Sequence, residues 1–223
     1  NDSYEVITNP GFIKKYKNKI SLIFTSPPFA LNTPKSYGNK KTDEYVEWFS
    51  SFAKPLTNLL NKKGSIVIEM GNSWTEGEPT MSLTTYESLV GFMKSANLKL
   101  CQEFIWNNTA KLPGPAQWVT KKRLRAKDSF TKIWWLSKTA YPYADNTKVL
   151  KPYSRQMEKL LSKKKYNHGE RSSGHKISSD SFLSVNNGSI ASNVFNDSDI
   201  FLGTPSTVIE IANTGVTNYV QHC

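Results

Sequence analysis

Ile20-Ser21-Leu22-Ile23-Phe24-Thr25-Ser26-Pro27-Pro28-Phe29 is the stretch on which the fold turns. Its first half is apolar and rich in β-branched residues, so it reads as a buried strand. The strand stops at Pro27 and Pro28, which remove N–H donors and forbid continuation as strand or helix. The chain therefore leaves as a rigid loop at a strand's carboxyl end, the edge where open α/β sheets place their ligands. This loop offers the hydroxyl of Ser26, the carbonyl of Pro27 and the ring of Phe29. A carbonyl ahead of proline cannot be drawn into a helix and stays available to a ligand's donors. An aromatic ring beside such acceptors suits a planar base that carries an exocyclic amine.

Working outward, Asp2 or Ser3 can cap a short helix ahead of this strand. Tyr45, Trp48, Phe49, Phe52, Leu56 and Leu59 recur at helical spacing and predict one amphipathic helix over 43–60, kinked at Pro55. Asn61-Lys62-Lys63-Gly64 is expected to stop it. Strands are predicted over Ser65–Met70, Leu100–Trp106 and Thr131–Ser137, with a helix over Thr85–Ala96. This alternation argues for an α/β sheet of largely parallel order.

The formal charge of +11 favours a polyanionic partner, nucleic acid first and an anionic membrane second. No apolar run approaches the length of a membrane span and no signal peptide stands at the start, which suits a cytoplasmic enzyme. Cys101 and Cys223 make neither a metal spacing nor a disulfide framework, and Cys101 reads as a buried thiol. His168 and His175 lack an acidic or cysteine partner at ligand spacing, so no metal is expected.

Lys111-Leu112-Pro113-Gly114-Pro115 is a rigid turn, and a basic run extends from Trp118 to Asp128. Lys121, Lys122, Arg123, Arg125 and Lys127 in that run suit a strand or extended arm facing a phosphate backbone. The polar loop after Phe29 adds Lys35, Tyr37 and Asn39 as candidate contacts. From Thr139 the composition becomes polar, with a basic helix expected over Ser154–Lys165. Arg155, Arg171, Asn186 and Asn187 there have the forked donors that read base edges, and His175 joins them as a DNA contact.

Thr25-Ser26-Pro27-Pro28-Phe29 resembles the catalytic motif of the amino-methyltransferases, which methylate exocyclic amines of DNA bases from S-adenosylmethionine. The Ser-Pro-Pro form with Phe is similar to the cytosine-N4 branch of bacterial restriction–modification systems; adenine-N6 members more often carry Asp-Pro-Pro with Tyr. The segment from Lys111-Leu112-Pro113 through Trp134-Trp135-Leu136-Ser137-Lys138 closely resembles corresponding parts of the same enzymes. The resemblance implies a partial Rossmann-like methyltransferase sheet with one antiparallel hairpin over residues 1–138. It implies an appended polar target-recognition region over 139–223. Ser26, Pro27, Pro28 and Phe29 take the catalytic positions, and Asp2 and Thr25 lie beside the cofactor. Double-stranded DNA is the implied partner, with a cognate restriction endonuclease in the same system and no stable complex with it.

One feature of the family is missing. The glycine-rich segment that binds the methionine moiety is expected after the recognition region, beyond Cys223, and Gly203-Thr204-Pro205 and Thr214-Gly215-Val216 are poor substitutes. The expectation is therefore a truncated chain or one half of a two-polypeptide enzyme. Methylation of adenine N6, or a catalytically silent DNA-binding subunit, are the alternatives.

Overall fold

The computed structural model of the chain describes residues 2–29, 40, 42–163, 169–178, 183–196 and 219–222. Two short helices, α1 (Ser3–Thr8) and α2 (Pro10–Tyr16), lead into β1 (Ile20–Thr25). Each begins on a polar cap: Asp2 Oδ1 accepts from the Tyr4 N–H at 2.8 Å, and Asn9 Oδ1 accepts from Gly11 at 2.8 Å. Then come α3 (Thr42–Ser51), α4 (Ala53–Leu59), β2 (Leu60–Met70), α5 (Thr84–Ala96), β3 (Lys99–Asn107) and β4 (Phe130–Ser137). The remaining elements are α6 (Arg155–Lys163), β5 (Gly169–Glu170), β6 (Lys176–Ile177), β7 (Val194–Asn196) and β8 (Tyr219–His222).

Residues 43–60 do not form one kinked helix. The helix breaks at Phe52, and Pro55 falls in the first turn of α4, where an N–H has no helical acceptor anyway. Asn61-Lys62-Lys63-Gly64, expected as a helix stop, opens β2 instead. Gly64 is required there because a Cβ would stand 2.9 Å from the Ile20 carbonyl oxygen of the neighbouring strand.

The sheet runs β7-β3-β4-β2-β1-β8. β4 is antiparallel to both β3 and β2, while β1/β2, β1/β8 and β3/β7 pair in parallel. Strand alternation gives the sheet two apolar faces. Ile23, Ile66, Ile68, Met70, Trp134 and Leu136 point toward a core that Tyr45, Phe49 and Phe92 of the helices complete. Leu22, Val67, Phe104, Ile133, Trp135 and Phe195 form a second cluster. Each such side chain contributes about 1.5–3 kcal/mol by leaving water, so the strands and not the loops set the scaffold's rigidity. Cys101 packs against the second cluster half-buried, less enclosed than expected, and burial pushes its thiol pKa up.

The chain divides into two compact units, Asn1–Asp145 with Asn193–Cys223, and Asn146–Ser192. In the second, Met157, Leu160 and Leu161 of α6 are only half-buried. Its loops are tied by Tyr153, whose hydroxyl donates to the Asn186 carbonyl and accepts from its N–H, both at 2.9 Å. Lys151 and Ser189 bridge beside Gly188, whose φ of +153° and position, where a Cβ would stand 2.5 Å from the Lys151 carbonyl oxygen, exclude a side chain. No helix among the described residues is long and apolar enough to cross a membrane.

Candidate active site

The pairing of Thr25 with Ile68 brings the loop Ser26–Phe29 level with the last residues of β2, and three of its four residues are fixed from that side or from α3. The Ser26 side chain stands beside the Glu69 carboxylate and, as a donor, favours its charged form. Burial pushes the Glu69 pKa up and the bond from Ser26 works against that rise. The Pro28 carbonyl accepts a hydrogen bond of 2.7 Å from the Tyr45 hydroxyl, which also lies 3.6 Å from Met70 Sδ. Tyr45 is fully buried, and burial raises its phenol pKa far out of the working range. The Phe29 ring lies over Gly71, where a Cβ would stand 2.7 Å from two ring carbons. Among the described residues nothing donates to the Pro27 carbonyl.

Beyond Gly71 a polar chain ties this edge to the β3–β4 connection. The Gly71 carbonyl accepts from Thr85 Oγ1 at 3.1 Å. Asn72 Oδ1 accepts from the Lys132 ammonium, and Asn72 Nδ2 donates to Asp128 Oδ1 at 2.7 Å. Asp128 also pairs with Lys111 at 3.1 Å. Lys132 is 2% exposed and stands 4.8 Å from the centroid of Tyr86 and 5.1 Å from that of Phe130. Burial lowers its pKa; Glu103 and Asp128 oppose that shift, and Lys111 adds to it. Sequence reasoning missed Glu69, Tyr45 and Lys132. A carboxylate or lysine inside an apolar strand, as in Ile66–Met70 and Thr131–Ser137, is the signal that could have found two of them.

The basic run is not an extended arm. A π-helical turn, Gln117–Lys121, buries Trp118, and the chain then folds back so that the N–H groups of Leu124 and Arg125 meet the Trp118 carbonyl at 2.8 and 3.3 Å. The buried indole decides this: a strand would have left Trp118 in water. Lys122 lies over that ring at 4.8 Å. Arg125 Nε donates to the Pro79 carbonyl and Lys127 Nζ to that of Thr109, both at 2.8 Å. These bonds and the Asn72–Asp128 bond hold the basic loop on the same sheet edge as Ser26–Phe29. Lys121 to Lys127 are all exposed.

Asp2 serves as the α1 cap, and Thr25 ends β1, half-buried. Arg155 opens α6, while Arg171 and His175 flank the turn of the β5–β6 hairpin, where the Arg171 N–H donates to the His175 carbonyl at 2.9 Å. All three are exposed, as are Asn186 and Asn187. Lys35, Tyr37, Asn39, His168 and the two Gly-containing segments near 203 and 215 lie outside the described residues. No group of three or more His, Cys, Asp or Glu that could hold a metal ion occurs among the described residues.

Comparison with known proteins adds a family and two relatives. The profile of a family described as DNA methylase, covering N6 and N4 enzymes, matches residues 20–201. Type II methyltransferase M.PvuII of Proteus hauseri is 44% identical over 177 residues, 78% of this chain and 52% of the relative. The solved structure of a PvuII DNA methyltransferase (cytosine-N4-specific) aligns with a TM-score of 0.56 and 34% identity, covering 72% of this chain and 62% of that one. This chain thus spans about half the length of the curated relative it matches.

Proposed function

This chain belongs to the N6/N4 DNA methylase family, and on that premise we propose that it methylates the exocyclic N4 amine of a flipped cytosine in duplex DNA. The observation that carries the reading is the geometry of the loop, whose Pro28 carbonyl is held by Tyr45 and whose Phe29 ring abuts Gly71, with the Ser26 side chain beside Glu69. A base amine is a poor nucleophile because its lone pair is delocalised into the ring. With its own proton turned toward Glu69, Ser26 Oγ presents lone pairs to one amine hydrogen, and the Pro27 carbonyl accepts the other. Nitrogen can then become tetrahedral, with its lone pair freed from the ring. The proton it must lose passes to Ser26 Oγ while the serine proton moves to Glu69, which ends as the neutral acid. A carboxylate whose pKa is raised by burial is suited to receive that proton.

Flipping the cytosine costs a few kcal/mol. Stacking on Phe29 returns about 1–3 kcal/mol of that. Positioning supplies the larger part of the acceleration, up to ~7–11 kcal/mol. No covalent intermediate on the protein is required.

S-adenosylmethionine is the donor we infer, and it supplies an electrophilic methyl group. The fit among the described residues is incomplete: one Asp2 oxygen is committed to the helix cap, and Thr25 offers a single hydroxyl. No step is therefore routed through the donor. The exposed cations Lys121, Lys122, Arg123, Arg125 and Lys127 are assigned to backbone phosphates beside the loop, and Arg155, Arg171 and His175 to a target-recognition region within 139–223. A restriction–modification role, a cognate endonuclease and a cytoplasmic location belong to the same reading.

Nucleoside mass spectrometry on DNA incubated with the chain and S-adenosylmethionine tests it. N4-methylcytosine is expected, and its loss in Ser26→Ala and Phe29→Ala with unchanged circular dichroism. N6-methyladenine would overturn the base assignment, and near-normal turnover in Ser26→Ala would overturn the role of the loop. Salt-dependent DNA binding without any methylated base would leave a DNA-binding subunit.

A further inference from the structure

The edge of the sheet away from Ser26–Phe29 carries a second basic surface. Lys17 and Lys19 lie in the turn between α2 and β1, where the N–H groups of Asn18 and Lys19 bond to the carbonyls of Asn58 and Leu59 at 3.1 and 3.0 Å. Those bonds set the turn beside the start of β2, which presents Lys62 and Lys63. Lys138 comes directly after β4, and its Nζ donates to the Leu60 carbonyl at 2.5 Å. Lys99 opens β3 opposite Ser137. Strand register fixes this gathering: Ile20 pairs with Leu60 and Ser65 with Ser137, so β1 and β2 begin, and β4 ends, on one edge.

Five of these six lysines are exposed and Lys138 is half-buried. Residues 17–19, 60–64, 97–99 and 137–143 contain no Asp or Glu, the next along the chain being Asp145. An ordinary solvated face intersperses both signs. Here the ammonium groups repel one another until an anion joins them. A cavity of about 630 Å³, lined by Asn18, Lys62, Lys138 and Thr139, opens among them and has room for a phosphate with its sugar. The neighbouring aliphatic side chains Leu60 and Leu98 are buried, and the exposed large side chains of these segments are Tyr141 and Tyr143. A bilayer surface would call for exposed apolar groups to insert between the lysines. Lysines around a phosphate-sized hollow suit the backbone of a nucleic acid.

We propose that this edge is a second duplex-DNA surface, with backbone phosphates held at the Lys62–Lys138 cavity and on Lys17, Lys19, Lys63 and Lys99. One chain then holds two DNA segments, one at each edge of its sheet. The inference rests on the proposed function only for the identity of the polyanion. Lys138 fits the role: burial lowers its pKa, its hydrogen-bond acceptor is a neutral carbonyl, and a bound phosphate would supply the missing negative charge.

The test is capture of a second, fluorescent duplex by the chain bound to an immobilised duplex, with light scattering to establish that the chain is monomeric. The variants are Lys17→Gln/Lys19→Gln/Lys62→Gln/Lys63→Gln and the same positions changed to Arg. Wild type and the Arg variant should capture the second duplex. The Gln variant should lose more than tenfold of that capture while still binding one duplex and keeping its circular dichroism. The slope of log affinity against log salt, read on a duplex long enough to engage this edge, should shrink by about 3.6 in the Gln variant, which loses four phosphate contacts. Equal capture by the Gln variant, or single-duplex binding by wild type without capture, overturns the second surface alone. Binding of wild type to phosphatidylserine vesicles, lost in the Gln variant while DNA capture persists, overturns it in favour of a membrane. Failure of wild type to bind any duplex overturns both this surface and the proposed DNA function.

Discussion

Replacing Gly71 by alanine tests whether the sheet holds the stacking ring. The new Cβ would stand 2.7 Å from two carbons of Phe29 and 3.3 Å from a third. Gly71 is not among the residues with positive φ, so its backbone accepts alanine and the change is a steric push alone. Ordinary contact begins at 3.4 Å, so the ring must recede by roughly 0.7 Å. It cannot swing away freely. Pro27 and Pro28 fix two φ angles, and Tyr45 holds the Pro28 carbonyl at 2.7 Å. Overpacking of this kind costs about 1–3 kcal/mol, which urea denaturation measures directly. With 2-aminopurine at the target position of a duplex, the fluorescence rise that marks the flipped base should fall in the same variant. Phe29→Leu introduced alongside should recover at least half of the lost stability, because the ring that clashes is gone, and should not recover the flipped state. A Gly71→Ala chain of parental stability and parental fluorescence would refute the reasoning. So would a double variant whose two effects simply add.

The same edge yields three further outcomes. Because the folded Glu69 carboxyl binds its proton more tightly than the unfolded one, its ionised form costs stability as pH rises through the raised pKa. Glu69→Gln should thus unfold at higher urea than the parent at pH 7, the difference closing below the unfolded carboxylate pKa of about 4.3, and should lose ~10²–10⁴-fold in methylation; equal stability at both pH values sinks the argument. Tyr45→Phe removes the bond to the Pro28 carbonyl and should cost about 1 kcal/mol together with much of the 2-aminopurine signal, an unchanged melting curve being the contrary result. Asn72→Ala strips the bridge between Lys132 and Asp128 and should cost ~1–3 kcal/mol near neutral pH. That cost should shrink as pH rises through the lowered pKa of Lys132, since the neutral amine no longer demands an acceptor; a pH-independent loss would place the effect elsewhere.

β1 to β4 were legible because their apolar runs are bounded by prolines, glycine and polar turns, and the Ser26–Phe29 loop because two prolines end a buried strand at one point; β5 to β8 have no such runs and were not. Local readings went astray for physical reasons. Periodicity over 43–60 is continuous, but the helix breaks at Phe52, so that α3 brings Tyr45 and Phe49 and α4 brings Ala53 and Leu59 to one core, and Leu60 already belongs to β2. Lysines at 62 and 63 read as a helix terminus, yet they lie where the β1–β2 register shifts, between the pairs Ile20–Leu60 and Leu22–Ser65, and stay exposed. The basic run read as an arm because alternation of charge says nothing about Trp118, whose burial bends the segment back. The partners of the Ser26–Phe29 loop were hidden because each lies far along the chain from the residue it holds. Tyr45 is 17 positions from Pro28, Glu69 is on the next strand from Ser26, and only register brings them near.

Register also explains why the carboxylate sits at position 69 and nowhere else on β2. Side chains at 67 and 69 share a face, opposite to that of Ile66, Ile68 and Met70. Val67 on that face is 0% exposed, paired with Trp135, so an acid there would stay protonated at any working pH and could accept nothing. β2 ends at Met70, so position 69 is the last on that face. Between these limits, opposite Ile133, a carboxylate is buried enough for its pKa to rise and open enough to meet the Ser26 hydroxyl. The strand thus sets the proton affinity of the acceptor by a single step of its pleat, while the prolines of the neighbouring loop decide which oxygen faces it.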